Sequence, residues 1–188
     1  MAGVLAFTAT DALSVNSLNV ANVGTLKVSN NSAAGTISTS NATLAGGATI
    51  NANLTLNSDG ALEMNGMDGD NSVTVNGTLT LGSRIALTGE ITDALSSGKQ
   101  AIKLFSGISQ LNFTATEGVT YSSSATVAYT EPVDITHVFS VEGVEEGMYE
   151  LTFSDGTLWA SQMNIPEPAT ATLSLLALAG LAMRRRRR

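Results

Sequence analysis

Val73-Thr-Val-Asn-Gly-Thr-Leu-Thr-Leu81 holds two short apolar-polar-apolar phrases joined through a glycine. Alternation with a period of two places the valines and leucines on one face of a strand and the threonines on the other. The same phrase recurs upstream at Leu18-Asn-Val20, Leu26-Lys-Val28, Leu54-Thr-Leu56 and Leu62-Glu-Met64, and downstream at Ile85-Ala-Leu87. Three interleaved sets emerge from the spacing: Leu18, Ile37, Leu54, Val73; Leu26, Leu44, Leu62, Leu79; and Ile50, Met67, Ile85. Their common step near 18 predicts stacked coils with two or three strands each, an all-β parallel β-helix (solenoid) over residues 1–97. Small residues two places before the second set (Gly24, Ala42, Gly60, Gly77) suit tight corners. Asn30, Asn31, Asn57, Asn65, Asn71 and Asn76 fall between phrases, where Asn tolerates left-handed turns and can form side-chain ladders. An antiparallel β-sandwich is the alternative, since it too uses short strands at close intervals.

Beyond residue 97 the runs lengthen and become aromatic: Ala101 to Phe105, Leu111 to Phe113, Ala125 to Tyr129, Ile135 to Val141 and Met148 to Phe153. A β-rich cap over residues 98–163 is predicted, with Phe105, Phe113, Phe139, Phe153 and Trp159 covering the open end of the last coil. Ser154-Asp-Gly156 predicts a tight hairpin between Tyr149–Phe153 and Thr157–Ala160, which would set Trp159 near Tyr149 or Leu151.

The chain has 188 residues, no cysteine and 13% charged residues. Disulfides and thiolate metal sites are therefore excluded. Residues 1–165 hold 15 of the 16 acidic residues but only Lys27, Arg84, Lys99 and Lys103 among the basic ones. Such an acidic body repels phosphate backbones, so a nucleic-acid partner is not expected. Met1 to Phe7 is apolar without a preceding basic residue, which fits either an atypical leader or, as favoured here, a start inside a longer protein.

Catalytic motifs are not found. His137 is the single histidine and sits in an alternating run with Ile135 and Phe139, a place for a packed or surface residue rather than a general base. No cofactor is expected. Asp68, Asp70 and Asn71 gather hard oxygen ligands in a Gly-rich turn and form a candidate calcium site, although the spacing lacks the distal Glu of an EF-hand and a plain turn is the simpler reading. Asp59, Glu63, Asp68 and Asp70 are the one dense acidic group of the first half that could supply paired carboxylates to a polysaccharide-acting enzyme. Glu142, Glu145, Glu146 and Glu150 read as a solvated loop face.

The C-terminus differs from everything before it. Ile165-Pro-Glu-Pro168 is followed by uncharged Ala169 to Met183 and then Arg184 to Arg188. As a helix, residues 169–183 would span about 22 Å, short for a bilayer core of about 30 Å unless the arginines snorkel. Five arginines stay cytoplasmic, which places the acidic body outside the inner membrane. The two prolines keep the tripeptide extended and separate from any flanking element.

These three parts in this order resemble the PEP-CTERM sorting signal of Gram-negative bacteria, also described as the C-terminal domain of ice-binding proteins. The resemblance covers Ile165 to Arg188. It implies export, transient anchoring in the inner membrane, cleavage by an exosortase, and release or attachment at the cell surface. By the same resemblance Pro166, Glu167 and Pro168 are recognition residues and Arg184, Arg185, Arg186, Arg187 and Arg188 are the cytoplasmic stop. The Gly-Thr-Leu phrases at Gly24 and Gly77 resemble the β-helical passenger regions of autotransporters. Together they lead us to expect a non-enzymatic surface or matrix protein, structural or adhesive, whose Thr/Asn/Ser-rich face suits exopolysaccharide or a host or matrix glycan. An enzyme acting on polysaccharide and a binder of ice or mineral surfaces are the alternatives.

Overall fold

Branched and long apolar side chains alternating with Thr, Ser and Asn make each short run half-buried, and nearly every such run becomes a strand. The computed structural model describes residues 4–8, 13–21, 24–30, 33–67, 71–97, 101–113, 120–122 and 133–163. In chain order the first strands are β1 (Val4–Thr8), β2 (Leu13–Val20), β3 (Thr25–Asn30), β4 (Ala33–Ala34), β5 (Thr36–Ala45), β6 (Thr49–Asn51), β7 (Asn53–Asn65), β8 (Val73–Leu81) and β9 (Ile85–Thr88). A short helix, α1 (Glu90–Ser96), separates them from β10 (Ile102–Phe113), β11 (Thr120–Ser122) and β12 (Val133–Asp134). A 3-10 turn (Thr136–Val138), β13 (Phe139–Val141), β14 (Tyr149–Ser154) and β15 (Thr157–Gln162) follow.

The strands join in one mixed sheet, and their parallel pairs fall into three columns. In the first, Leu26 lies beside Ile50, Ile50 beside Val75, and Val73 beside Phe105. The second runs Leu13, Ile37, Leu54, Leu79, Leu111. Leu18, Ala42, Leu62 and Leu87 make the third, which ends on Val141. Almost all of these residues are buried, and one apolar cluster runs without a break from Leu18 to Ala160, through both the repetitive and the aromatic halves.

These registers correct the predicted sets. Ile37 lies beside Leu54 as the first set has it, but Leu18 pairs with Ala42 rather than Ile37, and Ile50 pairs with Val75 rather than Met67. The cross-strand side-chain bonds Asn76 to Asn51 and Ser83 to Ser58 each join residues 25 apart. The apolar-polar-apolar phrase recurs so closely that skipping one phrase always gives a step near 18. Many partners along the columns instead lie 24 or 25 residues apart, as Leu13 and Ile37, Leu26 and Ile50, Ile50 and Val75, Leu54 and Leu79, and Leu62 and Leu87 do. Antiparallel pairing among the described residues is confined to β3–β4, β10–β11, β10–β15, β12–β14 and β14–β15, so the columns do not match an antiparallel sandwich.

Corners are where small residues matter. A Cβ on Gly60 would run into the Ser40 carbonyl, and one on Gly77 would lie 2.5 Å from the Ala52 carbonyl oxygen. Ala42, predicted as a corner, is instead a buried strand residue beside Leu62. Left-handed backbone at the corners is taken by Asp59 (φ 57°) and Arg84 (φ 56°) rather than by asparagines. Their side chains meet at 2.7 Å in solvent, an ion pair of the kind that adds little to stability. Thr39 faces inward with no exposure and is satisfied locally, donating to the Asn41 carbonyl at 2.8 Å and accepting from the Asn41 N–H at 3.2 Å.

The β14–β15 hairpin continues the sheet antiparallel from β10, and α1 packs beside it. α1 was not anticipated: Gly89 (φ 90°) turns the chain, and Ile91 and Leu95, one helical turn apart, are both buried. It lies against β7, β9 and β15. The predicted hairpin forms, with Asp155 (φ 46°) and Gly156 (φ 69°) supplying the two positive φ angles of its turn. Phe105, Phe113, Phe139 and Phe153 are buried as expected, but Trp159 is not among the covering residues. It pairs with Thr152, on the outer side of the hairpin, while Tyr149 and Leu151 point inward.

Candidate functional site

Each column has an outward side built from whatever alternates with the core. On the second column Ser14, Ser38, Thr55, Thr80 and Asn112 lie beside one another across five strands. Neighbouring strands are about 4.8 Å apart, so this is a regular row. A second row runs alongside: Thr36 beside Asn53, and Thr78 beside Gln110. Asn53 links the two pairs by accepting from the Thr78 N–H at 2.8 Å. Gln110 donates to Asn112 Oδ1 at 2.9 Å, and Asn112 donates to Thr80 Oγ1 at 3.4 Å. Neither row contains a charged side chain. The first column continues the pattern with Thr25, Thr49, Thr74 and Ser106, flanked by the Asn76 to Asn51 bond of 2.7 Å.

Such rows offer donors and acceptors at fixed intervals and hold them in place through their own cross-links. They can bind a ligand dense in hydroxyl groups. The particular residues were not legible because the period was misread. A signal was present: Asn53-Leu-Thr-Leu56 and Thr78-Leu-Thr-Leu81 share Leu-Thr-Leu and lie side by side in the sheet.

Among the described residues, the one acidic side chain whose acidity is clearly shifted is on the third column, Glu63 on β7. Asn65 donates to Glu63 Oε1 at 2.9 Å and Thr43 donates to Oε2 at 3.0 Å. These bonds, Asn65 first, hold the carboxyl below its ordinary value of 4.5 against a small opposing effect of desolvation. A general acid requires the opposite shift. Because the folded value lies below the unfolded one, Glu63 contributes stability that is fully present above 4.5 and is lost as pH falls through the lowered value. Glu63→Gln should therefore flatten the acid limb of a stability–pH profile measured by urea denaturation. An unchanged limb would contradict this account.

The other candidates are scattered. Asp59 is engaged with Arg84 at a corner. Asn71 donates to the Gly66 carbonyl at 3.1 Å, while Asp68 and Asp70 lie outside the described residues. Among the described residues no three acidic or histidine side chains come together in a metal-binding group. His137 is an exposed member of the 3-10 turn, edge-on to Phe113 with ring centroids 5.8 Å apart, and does not share a face with buried Ile135 and Phe139. It borders a groove of about 420 Å³ with Asp134, Glu146, Glu150 and Met163. Of the predicted solvated loop face, Glu142, Glu145 and Glu146 are exposed, whereas Glu150 is half-buried on β14.

Pro166, Glu167, Pro168, residues 169–183 and Arg184 to Arg188 also lie outside the described residues. Among those described, no helix is long and apolar enough to cross a membrane.

Residues 164–188 match a protein-family model described as the PEP-CTERM protein-sorting motif. The motif implies export, anchoring at the C-terminus and processing by an exosortase, a membrane enzyme. No curated protein and no solved structure matches the chain.

Proposed function

We propose that this chain is an exported, non-enzymatic surface or matrix protein whose body adheres to polysaccharide and whose tail is removed by an exosortase. In this reading the three columns are the faces of a parallel β-helix, residues 98–163 cap it, and residues 169–183 anchor it in the inner membrane until cleavage near Pro166-Glu-Pro168. The observation that carries the adhesive part is the uncharged five-strand row Ser14, Ser38, Thr55, Thr80, Asn112 with its neighbour Thr36, Asn53, Thr78, Gln110. A polysaccharide chain is long, repetitive and rich in hydroxyls, and a repeating array of hydroxyls and amides meets it with matched donors and acceptors. The lowered acidity of Glu63 and the pairing of Asp59 with Arg84 support binding over hydrolysis.

Two measurements test the proposal. The full chain, mixed with extracellular polysaccharide from the producing cells, should sediment with it, and Thr55→Lys with Thr80→Lys should weaken that association at least about tenfold, a loss of about 1.4 kcal/mol. Wild-type protein left in the supernatant would overturn the adhesive reading, and release of reducing ends would replace it with an enzymatic one. Regular hydroxyl rows also suit a crystalline surface, so thermal hysteresis in the same preparation would favour ice as the ligand. For the tail, mass spectrometry of the mature protein should find a C-terminus near Pro166-Glu-Pro168; an intact Arg188 at the cell surface would overturn processing.

A further inference from the structure

Trp159 is the only tryptophan of the chain, and its position is unlike that of any other aromatic whose side chain is described. Phe105, Phe113, Phe139, Tyr149 and Phe153 are all buried. On β15 the buried residues are Leu158 and Ala160, so Trp159 and Ser161 take the outer side. The register then builds a row across four strands: Asp134 on β12 beside Thr152 on β14, Thr152 beside Trp159, and Trp159 beside Lys103 on β10. Asp134 is exposed and the other three are half-buried. The Lys103 ammonium lies 5.3 Å from the centre of the indole ring, close enough for a cation–π attraction that orients both groups.

We propose that this row is a saccharide-binding subsite, with Trp159 as the stacking platform for one pyranose ring of an uncharged polysaccharide. Lys103 lies over one face of the indole, so the sugar takes the opposite one, where the electron-rich ring meets the flat C–H face of a pyranose with equatorial hydroxyls, which carries partial positive charge. Hydroxyls at the sugar's edge then meet Thr152, Ser161, the carboxylate of Asp134 and the N–H donors of Lys103. Asp134 and Lys103 at the two ends of the row offset one another, and the carboxylate of Glu150 beside Ser161 on the same face favours an uncharged ligand over an anionic one. The chain's formal charge of −7 disfavours a polyanionic one. This inference rests on the reading of the body as a polysaccharide binder, and it names a second place of contact, on the cap rather than on the threonine rows.

Because Trp159 is the sole tryptophan, intrinsic fluorescence reports on this subsite alone. Titrating the full chain with cellohexaose, a neutral β-linked glucan, should shift the emission to the blue with saturation, and calorimetry should give a matching affinity. Trp159→Ala should weaken calorimetric binding at least about tenfold, Trp159→Phe less, and Lys103→Gln about threefold. Should the alanine variant lose its fold by circular dichroism, Thr152→Arg, which crowds the ring from the outer face, must weaken binding instead. Emission unchanged up to about 10 mM cellohexaose, beyond the millimolar range that a few contacts supply, would overturn the proposal. So would wild-type affinity in the folded Ala or Arg variant. Wild-type protein that sediments with the extracellular polysaccharide but ignores cellohexaose would overturn the Trp159 platform while leaving the adhesive reading intact. Failure of sedimentation as well would remove both.

Discussion

Gly60→Ala is expected to destabilise the protein by about 3 kcal/mol, although it adds only one methyl group. A Cβ here meets backbone on both sides: the Ser40 carbonyl of the neighbouring strand β5 and, at 2.9 Å, the Asn57 carbonyl oxygen. Backbone held in parallel register cannot step aside as the end of a flexible side chain could. Gly60 also lies at the shift of register in the β5–β7 pairing, between Thr39–Leu56 and Asn41–Ala61, so relief of the clash would have to disturb two columns together. Gly143→Ala is the natural control. Nothing lies within 4 Å of its Cβ, and only the left-handed backbone (φ 74°) resists, a cost of about 1 kcal/mol. Urea denaturation of both variants should separate the two mechanisms; equal losses would refute the corner clash.

Phe105→Ala should cost about 3–5 kcal/mol, the range for emptying an aromatic site in a close-packed core. Phe105 is fully buried where the parallel columns meet the terminal hairpin, beside Val73 of β8 on one side and Leu158 of β15 on the other. A register irregularity between Lys103 and Phe105 turns both Leu104 and Phe105 inward, which strict alternation would forbid. The apolar cluster is continuous through this point, so the columns and the hairpin should lose stability together. Far-UV circular dichroism, which reports all strands, and Trp159 fluorescence, which reports the hairpin, should therefore shift to the same lower midpoint. Two separate midpoints would show instead that the cap unfolds on its own.

Local information carried far in this chain. Leu54-Thr-Leu56, Val73-Thr-Val75 and Leu79-Thr-Leu81 show period-two alternation, and in each the apolar pair is buried. Ser154-Asp-Gly156 specifies its hairpin because a tight turn needs two positive φ angles, which Asp and Gly accept readily. The C-terminal motif is legible for a different reason: it is matched by the order and composition of residues 164–188 alone.

Long-range information did not carry as far. Many phrases of nearly the same composition can pair in several registers at similar local cost, and spacing alone selected a wrong one. Leu18 lies beside Ala42, a pairing that places both in the one apolar cluster. Trp159 was expected inside for the same lack of information. Alternation says that it opposes Leu158 and Ala160, but not which of the two sets faces the core. Burial of Leu158, Ala160, Leu151 and Phe153 against the columns decides that, and it leaves the largest side chain of the hairpin outside. Composition and alternation by themselves determined a strand-rich acidic body with a sorting tail. Which residues share a row, and which side of each strand faces outward, was decided only when distant strands competed for a single core.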